Sequence, residues 1–145
     1  MSLNNALETA LLGHIFQNLA IANIGDAAGL PVAATVGSIF VSLHTQDPGD
    51  AAANQSIDEM TYTGYARKPG VRSSAGWTVS GDEVSNAAVI TMGLNTSASQ
   101  TSTHFGLGFA VSGATALYMV GTAPLVISTN VNPSFAVGAL DVSVN

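Results

Sequence analysis

GWTVSGDEVSNAAVITM, running from Gly76 to Met92, is the stretch whose reading decides the fold class. Trp77 and Val79 alternate with Thr78 and Ser80 on one arm, Ser80 to Glu83 carries the turn, and Val84 to Met92 supplies the second arm. Period-two alternation around a Gly-Asp turn predicts a β-hairpin. Upstream, SIFVSLHT sets Ile39, Val41 and Leu43 against Phe40, Ser42 and His44, which predicts a half-buried strand. TGYARKPGVR reads as a further strand in which Pro69 marks an edge or a bulge, because proline cannot donate to a ladder. Downstream, the runs HFGLGFAV, ALYMVGT, PLVIST and ALDVSVN are separated by SGAT, a break at Pro124 and the loop NVNPS. Short strands at this spacing predict a mainly β protein with a β-sandwich or jelly-roll-like body.

One segment breaks the β pattern. Leu3, Leu7, Leu11, Ile15 and Leu19 recur at helical spacing, with Leu12 and Phe16 widening the stripe, which predicts an amphipathic N-terminal helix. Ser2 is the expected N-cap, Glu8 suits the first turns and Gly25 is the expected stop. The helix is expected to bury Leu7, Leu11 and Ile15. At 145 residues the chain is sized for a single domain, with the helical segment at 1–24 and the sandwich body at 36–145. No fixed repeat runs through it. The opening residues lack the basic n-region and cleavage site of a secretion signal, and no apolar run reaches the roughly 18 residues of a membrane span.

Charge is scarce. Asp, Glu, Lys and Arg make up 8% of the chain, against roughly 25% in an average soluble domain. Interface cores are depleted in charge, so scarcity along the whole chain predicts extensive contact with other subunits, both further copies and neighbouring proteins of one assembly. Net charge is −6, with Arg67, Lys68 and Arg72 as the cations. That balance argues against nucleic-acid binding and against an acidic membrane surface.

Enzyme signatures are missing. The sequence has no G-x-S-x-G, H-E-x-x-H or Walker loop, and Gly106-Leu107-Gly108 lacks the third glycine of a dinucleotide fingerprint, so those glycines read as packing or bulge positions. There is no cysteine to act as nucleophile, metal ligand or disulfide partner. His14, His44 and His104 lie far apart in sequence. Asp47, Asp50, Asp58 and Glu59 crowd one predicted loop and are a weak calcium candidate, since hard oxygen ligands on a flexible loop suit that ion. Their spacing matches no EF-hand, and turn formation in a solvated loop accounts for them equally. No catalytic residue, cofactor or committed metal site is expected. Arg67, Lys68 and Arg72 form the basic cluster, available either to an acidic patch on a neighbour or to the acidic loop just upstream. Trp77 is the single tryptophan and is expected to anchor the core or a subunit contact.

Taken in order, ALETALLGHIF, FVSLHTQDPGD, TGYAR, RSSAGWTVSGDEVSNAAVITM, THFGLGFAVSG and PSFAVGALDVSV resemble a family of small bacteriophage virion proteins labelled head decoration (cement) or tail-fibre proteins. The resemblance spans nearly the whole chain. It departs where the family carries an aromatic-Pro pair after the SNAAVIT strand, since this chain has Met92-Gly93. The resemblance implies a structural role in the virion. Small size and a neutral surface weigh towards a decoration subunit on the capsid surface, with the major capsid protein or other virion subunits and further copies as partners. The alternative is a tail or tail-fibre component involved in host contact; against it stand the absence of repeats and an aromatic content of 6%.

Overall fold

The computed structural model describes residues 3–49, 51, 54–115 and 117–144. A helix, α1 (Asn5–Gln17), precedes nine strands: β1 (Ser38–His44), β2 (Lys68–Val71), β3 (Trp77–Ser80), β4 (Glu83–Asn86), β5 (Ile90–Thr91), β6 (Gln100–Gly108), β7 (Leu117–Ile127), β8 (Ser134–Phe135) and β9 (Asp141–Ser143). The chain divides into two compact units, one made of Met1–Ser38, Gly70–Val89 and Ala136–Asn145, the other of Ile39–Pro69 and Ile90–Phe135.

In the first unit, α1 is capped at both ends by asparagine. The Asn4 side chain accepts the Ala6 amide at 2.9 Å, and Asn18 closes the helix in the left-handed conformation at φ +56°, which asparagine tolerates better than most residues. Ser2, the expected cap, lies outside the described residues. The buried stripe is Glu8, Leu12 and Phe16, whereas Leu7 is exposed and Leu11 and Ile15 are half-buried. Phe16 meets the Trp77 ring edge-on at 5.0 Å, and Gln17 donates to the Trp77 carbonyl at 2.8 Å. Gly70 makes the indole fit: a Cβ there would stand 2.6 Å from the ring.

The predicted hairpin forms, with Ser80 paired to Glu83 across the two-residue turn Gly81-Asp82. Gly81 takes φ +64°, a value glycine adopts without a Cβ clash. The second arm stops at Asn86 instead of reaching Met92. The buried Asn86 amide donates to Ala88 and Ala136 carbonyls and accepts the Leu140 amide, each at 2.8 Å. That side chain thereby ties the end of β4 to the segment leading into β9, and the sheet runs β3-β4-β9.

In the second unit β1 is not half-buried. It lies inside a four-stranded sheet of order β2-β1-β6-β7, and both its faces are covered from Val41 to His44. Gly106 on β6 leaves the room this needs, since a Cβ there would stand 2.6 Å from His44 Nε2 and 2.8 Å from Ser42 Oγ. ALYMVGT and PLVIST, read as separate runs, form one strand through Pro124. Proline is tolerated because β7 ends the sheet order and the β6–β7 register shifts between Ser102 and His104, beside Pro124. A separate two-stranded sheet joins β5 to β8.

The expectation of a β-sandwich or jelly-roll is overturned. The strands fall into sheets of four, three and two that are not closed or curled as such a body requires. The physical reason is length and cover. β3, β4, β5, β8 and β9 run for two to four residues, too little for broad facing sheets, and within its unit the three-stranded sheet is packed by α1. No helix among the described residues is long and apolar enough to cross a membrane.

Candidate functional site

The densest polar arrangement lies in the second unit. β1 carries Ser42 and His44 on one face by strand alternation. His44 hydrogen-bonds the Ile57 carbonyl through Nδ1 at 2.7 Å and Ser42 Oγ through Nε2 at 2.8 Å. With Nδ1 protonated, Nε2 is left to accept the serine hydroxyl. Burial lowers the His44 pKa and keeps the ring neutral. Gln55 donates to Ser42 Oγ at 3.0 Å and to the Phe40 carbonyl at 2.8 Å, then accepts Arg67 Nη1 at 3.2 Å.

Arg67 is the hub. It is 4% exposed and forms a two-pronged pair with Glu59, Nε to Oε1 and Nη2 to Oε2, both at 2.7 Å. Its remaining N–H groups reach the Ala110 carbonyl at 3.2 Å, the Gly113 carbonyl at 2.9 Å and Ser56 Oγ at 3.2 Å. A guanidinium has five donors in a fixed fork, and these contacts engage every nitrogen. Tyr65 completes the network by accepting the Leu43 amide at 3.0 Å and donating to Glu59 Oε1 at 2.8 Å. Burial and the adjoining carboxylate push its phenol well above the ordinary range, so it stays a donor. Above lies an open groove of about 480 Å³, lined among others by Glu59, Tyr62, Tyr65, Arg67, Val111 and Ser112.

This arrangement is a clamp. Glu59 is held by two partners, Tyr65 is held protonated and Arg67 has its donors committed to the protein, so no group is poised to take or give a proton. The clamp fixes the 110–113 loop to the start of β2.

Of the loop acids proposed for calcium, Asp50 lies outside the described residues and Glu59 is taken by Arg67. Asp47 accepts the Gly49 amide, and Asp58 accepts Gln46 Nε2 at 3.5 Å. Among the described residues no three His, Asp or Glu side chains gather to hold a metal. His44 and His104 do face each other across β1 and β6. His104 Nδ1 bonds Thr103 Oγ1 at 2.9 Å, however, and its Nε2 lies 3.9 Å from Asp47. The basic cluster is split: Arg67 is buried, and Arg72 reaches the Ile15 and His14 carbonyls at 2.6 and 2.7 Å, the C-terminal end of α1, where a cation opposes the helix dipole. Lys68 is half-exposed. Trp77 is 1% exposed in the first unit. Sequence reasoning missed Gln55, Ser42 and Tyr65 as network members; the TGYAR block, which holds Tyr65 and Arg67 together, was the available signal.

Residues 2–143 match the model of a protein family described as "Podophage GP4 fiber I protein gp80". No curated protein matches the sequence. The expected capsid-surface location is overturned by this match, since the family is described as one of fibre proteins and not of capsid decoration proteins.

Proposed function

The chain belongs to the podophage GP4 fiber I protein gp80 family, and on that premise we propose that it serves as a tail-fibre component of the host-contacting apparatus. Membership of a fibre family makes it a bacteriophage virion structural protein without an enzymatic role. The observation that carries the tail-fibre reading is the match over residues 2–143, which takes in both compact units. The Arg67 clamp supports it, since a subunit that bears load at a contact point gains from loops fixed by charge-assisted hydrogen bonds. Scarce surface charge supports packing against other subunits of the fibre.

Immunogold electron microscopy of intact particles, with antibody raised against this chain, tests the location. Label is expected at the tail, and label over the head shell would sink the reading. The same antibody should lower adsorption of particles to host cells; undiminished adsorption at saturating antibody would remove the host-contact role.

A further inference from the structure

We propose that the Ser42 hydroxyl is a hydrogen-bond rotor that lets His44 carry a proton inside the folded protein: it donates to Nε2 of the neutral ring and turns to the Gly106 carbonyl once Nε2 is protonated. At ordinary pH no group of the clamp is poised to move a proton, but acid charges His44. Ser42 Oγ stands 2.8 Å from His44 Nε2 and 3.2 Å from the Gly106 carbonyl oxygen. A hydroxyl has one proton, so it serves one of these two acceptors at a time. Ser42, His44 and Gln55 are all buried, and the partners around the hydroxyl are fixed in their roles. Arg67 Nη1 donates to Gln55 Oε1 at 3.2 Å, which turns the amide nitrogen of Gln55 to Ser42 Oγ at 3.0 Å and to the Phe40 carbonyl at 2.8 Å. The Ile57 carbonyl, 2.7 Å from His44 Nδ1, can only accept, which keeps a proton on Nδ1 in both states of the ring. The Ser42 O–H is left as the bond that reverses.

The hydrogen bonds balance in both states. With the ring neutral, Ser42 donates to Nε2 and accepts from Gln55. When Nε2 takes a proton from solvent, its new N–H donates to Ser42 Oγ, and the hydroxyl keeps its own proton and swings it to Gly106. Oγ then accepts twice and donates once, the full capacity of a hydroxyl, and no buried polar atom of the set is stranded. Gly106 matters twice here. Its carbonyl is the second acceptor, and a Cβ at this position would stand 2.6 Å from His44 Nε2 and 2.8 Å from Ser42 Oγ, closing the space around the rotor. Burial opposes the added charge most and Arg67 opposes it too, whereas the Ile57 carbonyl, Glu59 and Asp58 favour it. His104 lies opposite on β6 with Nε2 3.9 Å from Asp47, and Tyr65 donates to Glu59 and stays protonated. The consequence is an anchor that holds through acidification. Charged or neutral, His44 keeps its bond to Ile57 and with it the end of the 45–59 loop, and the charged state adds a link from β1 to β6. This inference does not rest on the tail-fibre reading, and particle microscopy that overturned one would leave the other standing.

Nitrogen-15 NMR of the imidazole rings in the full chain, followed from about pH 8 to about pH 4, reads both ring nitrogens because a bare and a protonated nitrogen resonate apart. His44 should carry its proton on Nδ1 at the alkaline end and gain one on Nε2 in acid while the backbone amides keep their folded positions. A neutral ring protonated on Nε2, or a ring that is charged only as the folded spectrum disappears, would overturn the proposal. Ser42→Ala then decides by sign, and Gln55 keeps the Phe40 carbonyl as acceptor in that variant. A rotor serves both ring states, and its loss falls harder on the charged one, whose N–H is left buried without an acceptor. Proton affinity of His44 should therefore drop at least about fivefold, since hydrogen bonds of charged groups are the stronger ones. A hydroxyl fixed on Nε2 would stabilise the neutral ring alone, so a rise in affinity, or no change, would overturn the proposal. Ser102→Ala removes another buried hydroxyl of the same sheet, one bonded to the Ala123 carbonyl at 2.6 Å, and should leave the His44 titration where it is. An equal drop in that variant would assign the effect to general loosening and would also overturn the proposal. The wild-type titration stands as a test even if Ser42→Ala does not fold.

Discussion

Arg67 and Glu59 lie eight positions apart in sequence, yet the sequence alone left two partners open for the basic cluster, the acidic loop upstream or a neighbouring subunit. For Arg67 the fold selects the loop, because a guanidinium with 2% of its side chain exposed is tolerable only with a counter-charge and a full set of acceptors. Glu59→Gln should therefore destabilise the chain by about 3 to 5 kcal/mol, the usual cost of leaving one member of a buried pair uncompensated. Urea denaturation followed by circular dichroism measures it, and a change within error would show that the neutral hydrogen bonds suffice. His44 carries a second residue-level prediction. Its folded pKa is lowered below 6.5 by burial, so as pH falls through 6.5 the unfolded chain takes up a proton that the folded chain refuses. Its contribution to stability is full above 6.5 and declines as pH drops towards the folded value. Melting temperature should fall between pH 7 and pH 5 with a slope that His44→Gln reduces; an identical slope in that variant would remove His44 as the cause.

α1 shows at the scale of the element why some of the structure was legible and some was not. Its existence was plain from the spacing of leucines and the absence of proline. Its buried face was not, because Leu7, Leu11 and Ile15 adjoin Leu12 and Phe16 and the sequence offers two neighbouring stripes. Trp77, distant in sequence, settles the choice by packing on Phe16. Leu12→Ala should accordingly cost about 2 to 5 kcal/mol as a full core truncation, and Leu7→Ala within about 0.5 kcal/mol as a surface one. Thermal melts of the two variants compare them directly, and equal losses would contradict the assigned face. The hairpin was legible for a local reason, since Gly81 and period-two alternation both lie inside the stretch that forms it. The arrangement of sheets was not, because β4 ends where the Asn86 amide binds Ala136 and Leu140, a partnership invisible to any local pattern. The clamp escaped in the same way: Ser42 and His44 alternate as a solvent face would, and only Gln55 and Arg67, brought in from other segments, make that face an interior.

At the scale of the whole molecule, charge is used inward. Of the cations Arg67, Lys68 and Arg72, Arg67 is committed to Glu59 and the 110–113 loop, and Arg72 to the carbonyls that end α1. Little positive charge is therefore presented to an acidic neighbour, while the β6–β7 hairpin presents apolar side chains with no charge among them. Attachment to the rest of the particle should follow from that balance. Exposed ion pairs weaken as the Debye length shrinks from about 8 Å at physiological salt to about 3 Å at 1 M, whereas apolar contacts at roughly 25 cal/mol per Å² do not depend on screening. Particles washed in 1 M NaCl should keep this subunit in its original proportion to the other virion proteins, as quantified on a gel. Lys68→Gln should change that proportion little at low salt. Wholesale release in 1 M NaCl would mean that attachment is electrostatic, carried either by Lys68 or by the acidic side chains of the 45–59 loop meeting a basic partner. Because the chain's own acids outnumber its cations, such a partner would have to be strongly basic, and the salt titration would then report how many of its charges are engaged.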